Sequence, residues 1–251
     1  MIMFFASCFQ TIASLDTGNV DTSNAEESQD SADSTSDSGE LWEDTGEWPA
    51  ADWVVIGSGN WHTCAVAQDQ TTTCWGRNLE GQASPPSDIP FRMIAGGWFF
   101  TCGLAFDSTV HCWGEFDFEV LAQRYTYITA GKDFLCGIVG VDQSIECTGF
   151  PDSPPVGTFV QMDAGVAHVC ALDTFGQVFC FGDNSHGQCN TPSTTFHKVQ
   201  SGFRHSCAVN DDGLQCWGGE QDGSTDVPLV QGNNVWTGNF HNCTLNANHL
   251  P

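Results

Sequence analysis

Positive charge is almost missing from this chain. Of 251 residues only six are Lys or Arg, against 31 Asp or Glu, which gives a formal charge of −25. The first basic residue is Arg77. A surface this acidic repels a phosphate backbone and argues against nucleic acid as a partner. There is no C-x-x-C, which argues against zinc-ribbon and thioredoxin-type sites. Gly-x-Ser-x-Gly, His-Glu-x-x-His and a phosphate-cradling loop are also missing, so no catalytic set emerges and no cofactor is implied. No segment holds a helical period, which points away from helix bundles.

What the chain does have is cysteine. Thirteen at this length point to an oxidising compartment. They fall into a repeat. The first cysteine of each unit is Cys64, Cys102, Cys136, Cys170, Cys207 or Cys243, and a period of this size defines a repeat architecture. Counting back from that cysteine, position −8 is aliphatic or Met. Position −5 is Gly59, Gly97, Gly131, Gly165, Gly202 or Gly238, and position −2 is His or Phe. The spacing reads as strand, tight turn, strand, turn, strand. The −5 glycine serves either a positive φ or a close backbone approach.

The second cysteine follows across a turn. The pairs are Cys64–Cys74, Cys102–Cys112, Cys136–Cys147, Cys170–Cys180 and Cys207–Cys216. Each brackets one predicted hairpin, so the partners face each other within disulfide reach. Cys189 and Cys243 remain, either paired with each other or free. Trp75, Trp113 and Trp217 follow second cysteines on outer strands and are expected in the core.

The N-terminal part differs in kind. Residues 1–8 read as a truncated signal: the apolar run is too short to span a bilayer and has no basic flank. Phe5-Ala6-Ser7-Cys8 resembles a bacterial lipobox, which makes Cys8 a candidate lipidation site. Residues 9–51 are rich in Ser, Thr, Asp and Glu and too poor in apolar surface to order themselves. As a flexible coil this linker reaches roughly 35 Å. Twelve of the 31 acids lie at or before Asp52, leaving nineteen against six bases in the rest of the chain.

From about residue 52 to 251 the units resemble the regulator of chromosome condensation repeat family. The resemblance is carried by AG-x-x-H-x-C-A-L in the fourth unit and by Cys-aromatic-Gly-x-Asn-x-x-Gly-Gln at Cys74–Gln82 and Cys180–Gln188. It implies an all-β fold, a β-propeller of five full units plus a partial sixth. The cysteine-paired variant looks like copies in secreted and lipid-anchored bacterial proteins. Family members include a nuclear exchange factor for a small GTPase, a plant ultraviolet receptor and a secreted β-lactamase inhibitor.

Positions −4 and −3 vary inside this fixed frame and favour aromatic residues and Arg. Trp61, Trp98, Phe99, Phe203, Arg204 and Phe240 would ring one face and are the candidate binding residues. Packing between blades is the competing role for them. The recurring His-x-Cys is not read as a metal site, because Phe100 and Phe134 replace two of the six histidines. The functional expectation is a monomeric, non-enzymatic protein at a bacterial surface or secreted. It binds a protein or glycan through one face and meets a membrane only through lipid on Cys8. The alternatives are a hydrolase or lyase, an enzyme inhibitor, or a nucleotide-exchange regulator.

Overall fold

Hairpin turns come first, because short aspartate motifs set them. Asp69, Asp107 and Asp142 each accept hydrogen bonds from the backbone N–H and hydroxyl of the residue two further on, Thr71, Thr109 and Ser144. The intervening residue is left-handed, with φ of 71° at Gln70, 72° at Ser108 and 59° at Gln143. Such Asx turns fold the chain back on itself.

The computed structural model describes residues 53–150, 154–219, 224–227 and 232–246. Among them are seventeen strands and no helix. The first sheet is β1 (Trp53–Ser58), β2 (His62–Ala67) and β3 (Thr72–Gly76); the second is β4 (Phe91–Gly96), β5 (Phe100–Ala105) and β6 (Val110–Gly114). The third is β7 (Tyr125–Ala130), β8 (Leu135–Val139) and β9 (Ile145–Thr148). The fourth is β10 (Phe159–Ala164), β11 (His168–Asp173) and β12 (Val178–Gly182). The fifth is β13 (Lys198–Ser201), β14 (His205–Asn210) and β15 (Gly213–Gly218), and the sixth pairs β16 (Gly232–Thr237) with β17 (Asn242–Asn246). All pairings are antiparallel. Units two, three and five lack the Asn-x-x-Gly-Gln ending yet form their outer strands like the others.

The core is divided among the seams. Separate apolar clusters join sheets one and two, two and three, three and four, four and five, and five and six. Phe91, Phe100, Tyr125 and Phe159 are among the largest side chains fully buried there. A unit that packs only on its neighbours is what a repeat architecture requires. All five cysteine pairs are disulfides, each tying a central strand to its outer strand at in-register positions such as Cys64 opposite Cys74. Cys8 and the linker at 9–51 lie outside the described residues.

One core assignment fails. Trp113 and Trp217 are buried at 9 % exposure, but Trp75 is 48 % exposed and lies beside Trp53. The buried pair donate their indole N–H to the carbonyls of Gln82 and Gln188, which end the preceding unit's Asn-x-x-Gly-Gln loop. Trp75 follows the two-stranded sixth sheet, and no such loop covers it among the described residues.

Candidate functional site

The six turns between inner and central strands, positions −5 to −3, lie on one face. Backbone bonds link neighbours: Asn60 N–H donates to Gly97 O (3.2 Å), Trp98 N–H to Lys132 O (3.2 Å) and Lys132 N–H to Val166 O (3.1 Å). Phe203 N–H donates to Asn239 O (3.2 Å). Asn239 Nδ2 donates to Asn60 Oδ1 at 3.2 Å, so the sixth turn meets the first.

That contact brings the candidate residues onto one arc running through units five, six, one and two. Trp61 lies 5.8 Å from Trp98 and 5.3 Å from Phe99, ring centre to ring centre. Phe203 and Phe240 stack at 5.2 Å, and the Arg204 guanidinium covers Phe203 at 5.2 Å. Phe240 and Arg204 are exposed, and Trp61, Trp98, Phe99 and Phe203 are half-buried. The third and fourth turns, with Lys132-Asp133 and Val166-Ala167, carry no aromatic side chain.

Two cations of this face were not among the residues singled out from sequence. Arg77 sits 5.6 Å from the ring centres of both Trp61 and Phe99, and the Lys132 ammonium lies 4.7 Å over Trp98. With Arg204, three of the six basic residues of the chain therefore touch aromatic rings here. The placement of Arg77 has a simple cause. The residue after the Cys-aromatic-Gly ending donates its N–H to the −3 carbonyl of its own unit, as Arg77 does to Trp61 O at 2.8 Å. Glu115, Asp183 and Gly219 repeat this bond. Arg77 and Lys132 also pair with Glu80 and Asp133, so their charge is partly compensated.

Position −2 has a different job. His62 Nε2 contacts Thr101 Oγ1 (2.6 Å), and Thr101 donates its own hydroxyl to Gln82 O (2.8 Å). His168 Nε2 contacts Ser206 Oγ (2.9 Å), which donates to Gln188 O (3.0 Å). Because each hydroxyl hydrogen is committed to a carbonyl, Nε2 carries the imidazole proton and Nδ1 is left bare. Nδ1 is buried without a hydrogen-bond partner in both. Burial holds both imidazoles down at about 4, with nearby His205 adding to the effect at His168. The rings are therefore neutral structural struts. Among the described residues no three His, Cys, Asp or Glu side chains converge as metal ligands.

The Asn242-Cys243-Thr244 sequon is equally occupied. Asn242 Oδ1 bonds His205 Nε2 at 2.8 Å and its Nδ2 donates to Ser224 O, so the amide that would carry a glycan is engaged.

Below the turns lies a cavity of about 200 Å³ lined by residues of all six inner strands. Its one carboxylate is Asp163, and Trp236, Tyr127, Ser58, Ser201 and Thr237 stand around it. Asp163 Oδ2 accepts the Ser201 N–H at 2.7 Å and Oδ1 the Thr129 hydroxyl at 3.5 Å. Burial pushes its carboxyl up to about 7, against the opposing pull of the Ser201 N–H and of Lys198. The Lys198 ammonium lies 4.3 Å over the Trp236 ring.

Six radial sheets around one axis, each joined from its outer strand to the next inner strand, make a β-propeller with the inner turns lining one face. The regulator of chromosome condensation (RCC1) repeat model matches residues 159–188 and 196–224, in the fourth and fifth units. No curated protein matches the sequence. Among solved structures, the ectodomain of the receptor kinase CR4 from Physcomitrella patens is similar with a TM-score of 0.70 at 22% identity, over 78% of this chain and 62% of that one. Human WBSCR16 gives 0.62 at 13% identity, over 77% and 72%. Yeast RCC1 (Prp20), solved bound to Kap60, gives 0.55 at 17% identity, over 69% and 57%. The chain thus spans about three-fifths of the CR4 ectodomain, and at these identities the likeness is one of fold.

Proposed function

We propose that this protein is a non-enzymatic binding scaffold that works outside the cytoplasm and engages a protein partner through the turn face. The observation that carries this reading is the arc of Phe240, Phe203, Trp61, Trp98 and Phe99, with Arg204, Arg77 and Lys132 against the rings. Half-exposed aromatics beside Arg are the usual anchors of protein interfaces. Five disulfides fit an oxidising compartment. Yeast RCC1, which shares the fold, was solved with a protein partner, Kap60. A bacterial surface location, with Cys8 lipidated and residues 9–51 as tether, is the form of this reading that the lipobox resemblance supports. A glycan is the second ligand class, because sugar rings also stack on exposed aromatics.

The test begins by photo-crosslinking the full chain on its native cells to isolate the partner. Trp61→Ala, Trp98→Ala and Phe203→Ala are each expected to weaken binding about tenfold or more with an unchanged melting temperature. Unchanged affinity in all three would exclude the face. Probing a glycan array with the same variants separates the two ligand classes. Intact mass of the native protein reads the lipid on Cys8 directly.

A further inference from the structure

Cys243 stands where each unit has its first cysteine, but no second cysteine follows it. It is nevertheless disulfide-bonded. Ten of the thirteen cysteines form the five bonds within units, which leaves Cys8 and Cys189 to consider. Cys189 lies on the loop after sheet four, where its Sγ donates to the Asp183 carbonyl at 3.5 Å. The preceding residue, Gln188, is held at the seam of sheets four and five by Ser206 and Trp217. That place is not where the other bonds are made. In each complete sheet the second cysteine sits on the outer strand opposite the first, as Cys74 does to Cys64 and Cys216 to Cys207. The partner of Cys243 therefore belongs along the outer edge of β17, which carries no strand among the described residues. A strand edge of this kind is a template for one more strand.

Cys8 has the surroundings that the position asks for. An aromatic residue follows the second cysteine in four complete units, as Trp75, Trp113, Phe181 and Trp217, and Phe9 follows Cys8. Two residues ahead of the second cysteine, units two to five carry the apolar Val110, Ile145, Val178 and Leu214, and Ala6 stands two ahead of Cys8. The likeness ends at Gln10, where the other units have Gly. The exposure of Trp75 fits the same arrangement. Trp113 and Trp217 are covered by the connection from the preceding outer strand to the next inner strand. With Cys8 on the outer strand of sheet six, the equivalent connection for sheet one is residues 11–52.

We propose that residues 6–9 are the third strand of the sixth sheet, paired along β17 and locked there by a Cys8–Cys243 disulfide. The bond ties the segment before the first unit to the last unit and so closes the ring covalently. Residues 11–52, with twelve acids, become a loop fixed at both ends. In complete units the residue after the outer strand bonds the −3 carbonyl, as Arg77 does at Trp61. The acidic loop accordingly leaves the sixth sheet beside Phe240, at the turn face. In forming the bond the two thiols give up two protons and two electrons to a disulfide oxidant of the compartment, which is reduced to two thiols. One sulfur cannot hold both a disulfide and a lipid, so this bond excludes lipid on Cys8. Ring closure does not rest on the scaffold reading of the turn face.

The experiment alkylates the native full-length protein, digests it after Asp and Glu without reduction, and maps the products by mass. Cleavage after Asp16 and Asp226 frees segments 1–16 and 227–251, each with a single cysteine. The two are expected to run as one linked species that reductant splits. Their separate recovery, a lipid on Cys8, or linkage of 227–251 to the segment bearing Cys189 would each overturn the bond. A link found only in a covalent dimer would overturn closure within one chain. Strand pairing is read by hydrogen exchange. In Cys8→Ala, which alters none of the described residues, the amides of 242–246 are expected to exchange at least about tenfold faster, while those of 205–210 keep their rate. Unchanged exchange at 242–246 would overturn the locked strand. Trp61→Ala is expected to keep the linked species, so failure of the binding face and failure of ring closure are told apart.

Discussion

A methyl group on Gly165 would lie 2.2 Å from His168 Cε1 and 2.4 Å from Gly202 O. No real Cβ survives such contacts, so the residue is glycine because two things already fill the space: the −2 ring of its own unit and the −5 carbonyl of the next. The same two neighbours crowd Gly59 and Gly202. From sequence the −5 glycine allowed either a positive φ or a close approach. The positive-φ glycines in fact stand elsewhere, as at Gly76 and Gly182, which end outer strands. Gly165→Ala is therefore expected to cost about 1–3 kcal/mol through overpacking, read as a fall of several degrees in melting temperature. An unchanged melting temperature would refute the close approach. Other single residues were less legible. Trp75 repeats the local pattern of Trp113, and its exposure is decided by the neighbouring unit rather than by its own strand. Arg77 was missed because its place under Trp61 depends on the outer strand returning to the −3 carbonyl, a tertiary bond with no signature in composition.

Between elements, positions −2 and −1 obey a rule across the seam. Where −2 is His, the next unit's −1 residue is polar: His62 meets Thr101, His168 meets Ser206 and His205 meets Asn242. Where −2 is Phe, it is apolar, and Phe100 with Leu135 and Phe134 with Val169 share apolar clusters. The −2 alternation was legible in the sequence, but its meaning was not, because the partner sits one unit away at no fixed local spacing. Ser206→Val alone leaves the His168 Nε2–H unpaired in a buried seam and takes one of two donors from the Gln188 carbonyl, which keeps the Trp217 N–H, at a cost of about 1–3 kcal/mol. His168→Phe in the same chain supplies the partner that Val requires. The double variant is expected to recover about 1 kcal/mol or more of coupling in a mutant cycle read by urea denaturation. Additive losses would mean that the seam has no such rule.

At the scale of the whole molecule the buried titrating groups pull stability in opposite directions with pH. His62 and His168 are held at about 4 against an ordinary 6.5, and His205 and His241 are lowered as well, chiefly by burial. A group depressed on folding binds its proton in the unfolded chain first. The stability it protects is whole above 6.5 and is lost as pH falls towards 4. Asp163 is raised to about 7 from 3.8, so the unfolded chain gives up its proton first, and stability falls as pH rises from about 4 to about 7. An unfolded histidine is still half protonated at 6.5 and about a quarter protonated at 7, so the four histidines outweigh the one carboxyl across this range. Urea denaturation from pH 4 to 8 is therefore expected to give a stability that climbs with pH and levels off above about 7. Salt of about 0.2 M damps the repulsion among surface acids that would otherwise overlie the profile. In Asp163→Asn the climb is expected to steepen between pH 4 and 7. His168→Phe combined with Ser206→Val flattens it. A variant profile parallel to the wild type between pH 4 and 7 would show that Asp163 titrates as an ordinary carboxylate. That outcome would mean its cavity is wetter and less confining than the packing of six inner strands around it implies.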